Sequence, residues 1–267
     1  MFDKYGNFMG SFHSQEHYKR TSVLLKQVTL YNDLPKRLEL AIKIETASLH
    51  NQRENLRYFY KHSKKETLKK SIDIMSDYMS QMKNAKDINQ LMMIEARAKQ
   101  QYLQSFDDMI DNKEFLFEKR TRRPPQNEVN ALISFGNTFL YRRIANDIYK
   151  TALDIRIRIV HASNSRSESL NLDIAEIFKP LIVDRTIFSV IHNLQMHSNM
   201  HFETTEEGTY LNNVGRRIFI RGLEQKLNLK LSVNGQKITY DRIIKNEIHK
   251  ILCYIEKGEK YKPFKYT

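Results

Sequence analysis

Apolar side chains recur along most of this chain at the three- and four-residue spacing of a helix face, and only briefly at the two-residue spacing of a strand. Asp33 and Pro35 open the clearest helix, because proline is tolerated in a first turn, and Leu38, Ala41, Ile42, Leu49 and Leu56 form its apolar stripe. Before it, residues 15–31 follow helical spacing loosely through Val23, Leu24, Val28 and Tyr31. The stretches 62–82 and 87–110 are also predicted to be helical, the second with Ile88, Leu91, Met92, Ile94 and Tyr102 on its apolar side. Pro124 and Pro125, after Lys119, Arg120, Arg122 and Arg123, stop helical structure and mark a basic loop between two halves. Asn127 then caps a helix expected to run to about residue 151, with Val129, Leu132, Ile133, Leu140, Ile144 and Ile148 inside.

Residues 154–161 set Ile155, Ile157 and Ile159 against Arg156 and Arg158 and read as extended; 162–169 form a polar loop. Leu170, Ile174, Ile177, Phe178 and Leu181 mark another helical face, which Pro180 bends, and the spacing resumes with Ile187, Val190, Ile191 and Leu194. Two more helices are expected over 211–229 and 240–256, followed by a basic, aromatic tail, 258–267, that reads as loose. At the other end, Phe2, Tyr5, Phe8 and Phe12 surround a Tyr-Gly-Asn turn signal and Gly10, the pattern of a hairpin end. An isolated hairpin is marginal, so these residues are expected to complete a unit outside this chain or to lie against the helices.

The 267 residues hold 8 Gly and 5 Pro, which suits long helices better than a turn-rich sandwich or barrel. Length allows one large helical domain or two smaller ones. No apolar run reaches the roughly 18 residues of a membrane span, the start lacks the blocks of a signal peptide, and a single cysteine, Cys253, excludes an internal disulfide and fits a reducing, cytoplasmic setting. The net charge of +13, from 44 Lys and Arg against 31 Asp and Glu, favours a polyanionic partner, nucleic acid ahead of an acidic protein or membrane surface.

Asp173 and Glu176 stand three apart on a predicted helix and share a face, where they repel unless a cation lies between them. Arg, Lys or a divalent ion would serve, and a solvated pair is the common outcome. His161 ends an apolar run, where a structural histidine is usual; Glu128 starts a helix, where a carboxylate favours the macrodipole. Together these residues make a set of oxygen ligands plus one imidazole that suits Mn2+ or Mg2+ better than structural zinc, although spacing alone does not bring them together.

The run NEVNALISFGNTFLY from Asn127, a segment ending in His161, and SLNLDIAEIFKPLIVDR from Ser169 resemble, in order and spacing, the CRISPR-associated adaptation endonuclease/integrase family (Cas one, type I-like). RRPPQNEVN, LLKQ and GRRIFIRGLE are similar to that family too. The resemblance implies a mainly α fold: a helical catalytic domain over 14–267, with 1–13 the remnant of an N-terminal β-rich dimerisation domain. It implies Glu128, His161 and Glu176 as catalytic metal ligands for Mn2+ or Mg2+, and Asp173 as an additional acidic position. Many relatives have Asp where this chain has Glu176, and the loop after His161 lacks their Glu-Arg-Arg pattern.

The activity implied is transesterification, joining the 3′-hydroxyl of new spacer DNA to a CRISPR repeat, with nicking when water attacks instead and resolution of branched DNA in reverse. The implied partners are DNA, a second copy of the chain, placed in doubt by the short start, and a small dimeric adaptation protein. Arg120, Arg122, Arg123, Arg217 and Arg221 are the candidates for holding DNA. The run Lys64, Lys65, Lys69 and Lys70 reads better as a solvated face, and Tyr141 and Tyr149 better as core than as stacking platforms. The competing classes are a truncated, non-catalytic DNA-binding relative and a helical scaffold whose basic face binds protein.

Overall fold

The computed structural model of the protein describes residues 18–160, 168–233 and 235–267. The expected start remnant, His161 and most of the polar loop after it lie outside the described residues. Helix α1 (Thr21–Asn32) meets α2 (Leu34–Ser63) at Asp33, whose carboxylate accepts from the Lys36 amide at 3.1 Å while Pro35 sits in the first turn. The 30-residue α2 is the central strut, and it ends where Lys64 turns left-handed at φ 56°. That turn delays α3 (Glu66–Lys83), expected from residue 62. The expected helix 87–110 divides at Ser105 into α4 (Ile88–Gln104) and α5 (Phe106–Ile110). Helix α6 (Glu128–Ile148) starts as its sequence predicts, with the Asn127 side chain accepting from the Asn130 amide at 2.9 Å.

After α6 come α7 (Leu170–Lys179), a π-helical turn (Pro180–Asp184), α8 (Arg185–His192) and the short α9 (Ser198–His201). Two antiparallel hairpins flank α10 (Asn213–Asn228): β1 (Phe202–Thr204) with β2 (Thr209–Leu211), and β3 (Lys230–Val233) with β4 (Gln236–Thr239). Helix α11 (Tyr240–Lys257) follows. The mainly α architecture agrees with the sequence expectation, while the hairpins are additions to it. Among the described residues no helix is long and apolar enough to cross a membrane.

The contact of α2 with α7 is built around Pro180. A proline has no N–H, so the carbonyl four residues earlier, that of Glu176, loses its helical donor. Ser48 replaces it, its hydroxyl donating to the Glu176 carbonyl at 2.9 Å. Along the same face of α2, Asn51 donates to the Ile177 carbonyl at 2.8 Å and Asn55 to the Pro180 carbonyl at 2.7 Å. These polar residues are buried because they complete the backbone pairing of the π-helical turn, a distortion frequent beside functional sites. On the other side, a Cβ on Gly136 of α6 would lie 2.5 Å from Val183 Cγ1, so the glycine lets α6 lie directly against that turn.

Two expectations are corrected. Residues 154–160 form turns, not a strand, because their backbone groups pair with side chains. Gln27 donates to the carbonyls of Asp154 and Ile157 at 2.8 and 3.0 Å, Arg37 donates to that of Ile159 at 2.7 Å, and Asp173 accepts from the Ile159 and Val160 amides at 2.7 and 3.0 Å. The tail is docked rather than loose. Tyr261 donates to buried Glu247 at 2.5 Å, the Phe264 amide donates to the same carboxylate at 3.2 Å, and the Tyr266 amide donates to Asn51 at 2.9 Å. Arg185 lies 4.0 Å above the Tyr266 ring.

Candidate active site

Helices α2, α4 and α7 enclose an acidic centre. Glu176 projects from α7 with 9% of its side chain exposed. One ammonium, that of Lys99 on α4, donates to Glu176 at 3.2 Å and to Glu95, one turn earlier on α4, at 3.4 Å. Lys179 pairs with the other oxygen of Glu176, and its ammonium lies 4.9 Å from the centre of the Tyr141 ring. Burial alone would push the Glu176 carboxyl up, but Lys179 and Lys99 outweigh it and hold it well below the usual carboxylate range. The Lys99 side chain keeps 28% of its surface exposed, so the centre is reachable from solvent past that residue.

Glu45, on α2, is a further buried carboxylate. It is 1% exposed and neither of its oxygens has a hydrogen-bond partner. Burial, reinforced by the charges of Glu95 and Glu176, raises its carboxyl well above the ordinary value.

Of the residues singled out in the sequence, the structure places two beside one another on α7. Glu176 faces the acidic centre, whereas Asp173 is fully buried and directs one oxygen to the Ile159 and Val160 amides. That contact fixes the chain up to Val160, immediately before His161, against the helix that bears Glu176. Glu128 is not brought to this centre. It lies half-buried at the start of α6, beside Lys113, Glu114 and Lys119. Tyr141, which does border the centre, is thirteen residues further along the same helix, or about 20 Å at 1.5 Å per residue.

Glu95, not Glu128, shares an ammonium with Glu176, and it carried a signal. It falls on the apolar stripe of α4 with Leu91, Ala98 and Tyr102, just as Glu45 falls between Ala41 and Leu49 on that of α2. A charged residue on a core stripe is rarely buried without a partner or a task.

Carboxylate oxygens of this kind are the donors that hard divalent cations take. Among the described residues no three His, Cys, Asp or Glu side chains converge as a finished ion cage. The Lys99 ammonium instead stands between Glu95 and Glu176.

The basic candidates divide. Arg120 is tied to Asn130 at 2.9 Å and Ser134 at 3.0 Å, and burial, with Arg122 beside it, lowers its guanidinium to about 10; it secures the start of α6. Arg122 and Arg123 are exposed and line a groove of about 1120 Å³ with Phe135, Phe139, Arg142 and Tyr210. Arg217 and Arg221 are exposed one turn apart on α10. Lys64, Lys69 and Lys70 are exposed, while Lys65 is bonded to Asp111 at 2.8 Å. The Tyr149 hydroxyl donates to Glu168 at 2.7 Å.

A basic, mainly helical protein with a buried acidic centre open at one side is the class that this architecture defines. The family described as CRISPR associated protein Cas1 matches residues 1–225, and the chain belongs to it. It is similar to a CRISPR-associated endonuclease Cas1 of Thermodesulfovibrio yellowstonii, with 38% identity covering 98% of this chain and 79% of that protein. Another relative of that name, from Thermotoga maritima, is 35% identical over 94% of this chain and 76% of its own length. The solved structure of a CAS1 protein from Thermotoga maritima superposes with a TM-score of 0.85 at 33% identity, over 99% of this chain and 80% of that one. A casposase bound to integration product shares the fold, with a TM-score of 0.81 at 21% identity over 90% of this chain and 70% of the casposase.

Proposed function

We propose that this chain is a metal-dependent DNA endonuclease and integrase of CRISPR adaptation, working at the acidic centre of α2, α4 and α7. The observation that carries the reading is the pair of glutamates, Glu95 and Glu176, presented by two separate helices and facing one ammonium, beside the backbone that leads into His161. The endonuclease names of the relatives support it, as does the likeness of fold to a casposase bound to integration product and to chains of a Cas6-RT-Cas1–Cas2 complex.

Glu95, Glu176 and His161 would hold Mn2+ or Mg2+. The donor set fits such an ion, with carboxylates that are buried, close together and balanced in their present arrangement by lysine. When bound, the ion would stabilise charge on the scissile phosphate and lower the pKa of the attacking hydroxyl. Lys179 holds one oxygen of Glu176 and so fixes the direction of the other. Asp173 anchors the backbone of Ile159 and Val160, the residues immediately before His161 in the sequence. In the reaction, the 3′-oxygen of an incoming DNA end forms a bond to a repeat phosphorus, and the bond from that phosphorus to the original 3′-oxygen breaks, leaving a new 3′-hydroxyl. With water as nucleophile the same centre nicks.

Arg122, Arg123, Arg217 and Arg221 are the exposed cations assigned to the DNA backbone. Spacer precursor, repeat and branched DNA are the proposed substrates, with a second copy of the chain and a small dimeric adaptation protein as partners. The test is breakage of a branched DNA with Mn2+ by the wild type beside His161→Ala, with DNA binding scored on the same samples. Breakage by the wild type, lost by at least about a hundredfold in His161→Ala with binding retained, is the expected result. Binding without breakage by either protein would instead mark a non-catalytic DNA-binding relative, and equal breakage by both would remove His161 from the centre.

A further inference from the structure

We propose that the tail residues Phe264 and Tyr266 are positioning residues for the acidic centre, setting where α7 lies against α2 and so where Glu176 presents its carboxylate; this rests on the reading of that centre as the place of strand breakage. A short helix that runs into a proline is held poorly by its own backbone, since proline offers no N–H to the carbonyl four residues earlier. Here the carbonyls of Glu176, Ile177 and Pro180 take donors from Ser48, Asn51 and Asn55 of α2 instead. The middle donor of that row, fully buried Asn51, also receives the tail. Its side-chain oxygen accepts from the Tyr266 amide at 2.9 Å while its nitrogen donates to the Ile177 carbonyl at 2.8 Å. A carboxamide has its donors on one end and its acceptor on the other, so the Tyr266 N–H fixes which end of Asn51 turns towards α7. Ile177 is the residue next to Glu176.

Further contacts join the tail to the same elements. The Phe264 ring stacks on Phe178, two residues after Glu176, with ring centres 6.1 Å apart and planes 12° from parallel. The His50 ring, on α2, donates to the Tyr266 carbonyl at 2.7 Å. The Tyr266 ring lies 4.0 Å from the Arg185 guanidinium, whose Nε donates to the Asn55 side-chain oxygen at 2.7 Å. Asn55 is thus oriented as Asn51 is: a donor takes its oxygen, and its nitrogen is left for the Pro180 carbonyl at 2.7 Å. The base of the tail is anchored separately, through Tyr261 to Glu247 and through Lys250 to the Lys262 carbonyl at 2.8 Å. Shortening the side chain of Phe264 or Tyr266 therefore loosens the hold on α7 and Arg185 without removing the attachment of the segment.

The experiment compares the full chain with Phe264→Ala, Tyr266→Ala and Tyr266→Phe. Single-turnover breakage of a branched DNA with Mn2+ is followed over a range of protein concentrations, and backbone hydrogen exchange is measured on the free proteins. A displacement of about 1 Å at a reacting group costs up to about a hundredfold in rate. We expect both alanine variants to lower the rate at saturation by about tenfold or more while the half-saturating concentration stays within about twofold of the wild type. Tyr266→Phe, which keeps the ring and the amide, should break DNA at the wild-type rate. Exchange in the alanine variants should quicken over residues 176–186 and remain unchanged in α3, which the tail does not brace. Wild-type rates in both alanine variants overturn the positioning role and leave the centre standing. So does exchange that quickens alike in every helix, the mark of a merely structural tail, or a loss confined to DNA affinity. Absence of breakage by the wild type overturns the centre and the part of the tail in it.

Discussion

Glu176→Gln is expected to abolish strand breakage and to lower the stability of the fold by about 3 kcal/mol. The two effects have one origin. Glu176 is the shared partner of Lys179 and Lys99, and the Lys179 side chain is only 11% exposed. An isosteric amide leaves that ammonium buried without its counter-charge, and breaking such a pair from one side costs far more than the pair contributes when intact. Lys99, with 28% of its side chain exposed, can turn to water, which keeps the loss at the lower end of the range for buried pairs. The pH dependence follows from the depressed Glu176 carboxyl. Its stabilisation is present above the ordinary glutamate value of 4.5 and fades as pH falls below it. Urea unfolding of both proteins at several pH values should show a gap that is full at pH 7 and narrows below about pH 4.5. DNA binding, which we propose the exposed arginines carry, should persist while breakage falls by at least about a hundredfold.

The second large effect separates two glutamates. Glu95→Gln is expected to reduce Mn2+-dependent breakage by at least about a hundredfold, and Glu128→Gln to leave it within about threefold of the wild type. Glu95 shares an ammonium with Glu176, whereas Glu128 stands about 20 Å away along α6 from the Tyr141 edge of the centre. Single-turnover cleavage of one branched DNA by the three proteins, with unfolding curves to confirm that each is folded, checks both statements. A loss confined to Glu128→Gln would move the metal to the start of α6.

Helices with a regular apolar stripe and a cap, such as α2 after Asp33 and α6 after Asn127, were readable because local chemistry and packing agree there. The 154–160 segment was misread because its alternation mimics a strand, while its amides and carbonyls are taken by Gln27, Arg37 and Asp173 from distant parts of the chain. The docked tail was misread for a similar reason, since basic and aromatic residues gave no hint that Glu247 and Asn51 wait for its backbone. The β3–β4 hairpin had a local signal, an Asn-Gly pair at 234–235 between two short runs, that the helical pattern around it obscured.

In the centre itself, the place of Glu176 on a helix was legible, and the burial of Glu95 and Glu45 on core stripes was not. A resemblance in order and spacing pointed to the first glutamate of a conspicuous block, whereas the glutamate that meets Glu176 lies 81 residues before it on another helix. Its placement depends on how α2, α4 and α7 pack, which no spacing along the chain encodes. The informative clue was physical: a carboxylate set at a core position of an otherwise apolar stripe.

The most direct measurement is an anomalous diffraction map from crystals of the protein soaked in Mn2+. A peak bonded to carboxylate oxygens of Glu95 and Glu176, with the Lys99 ammonium displaced from between them, is the expected result. A peak at Glu128 and none between Glu95 and Glu176 would contradict it.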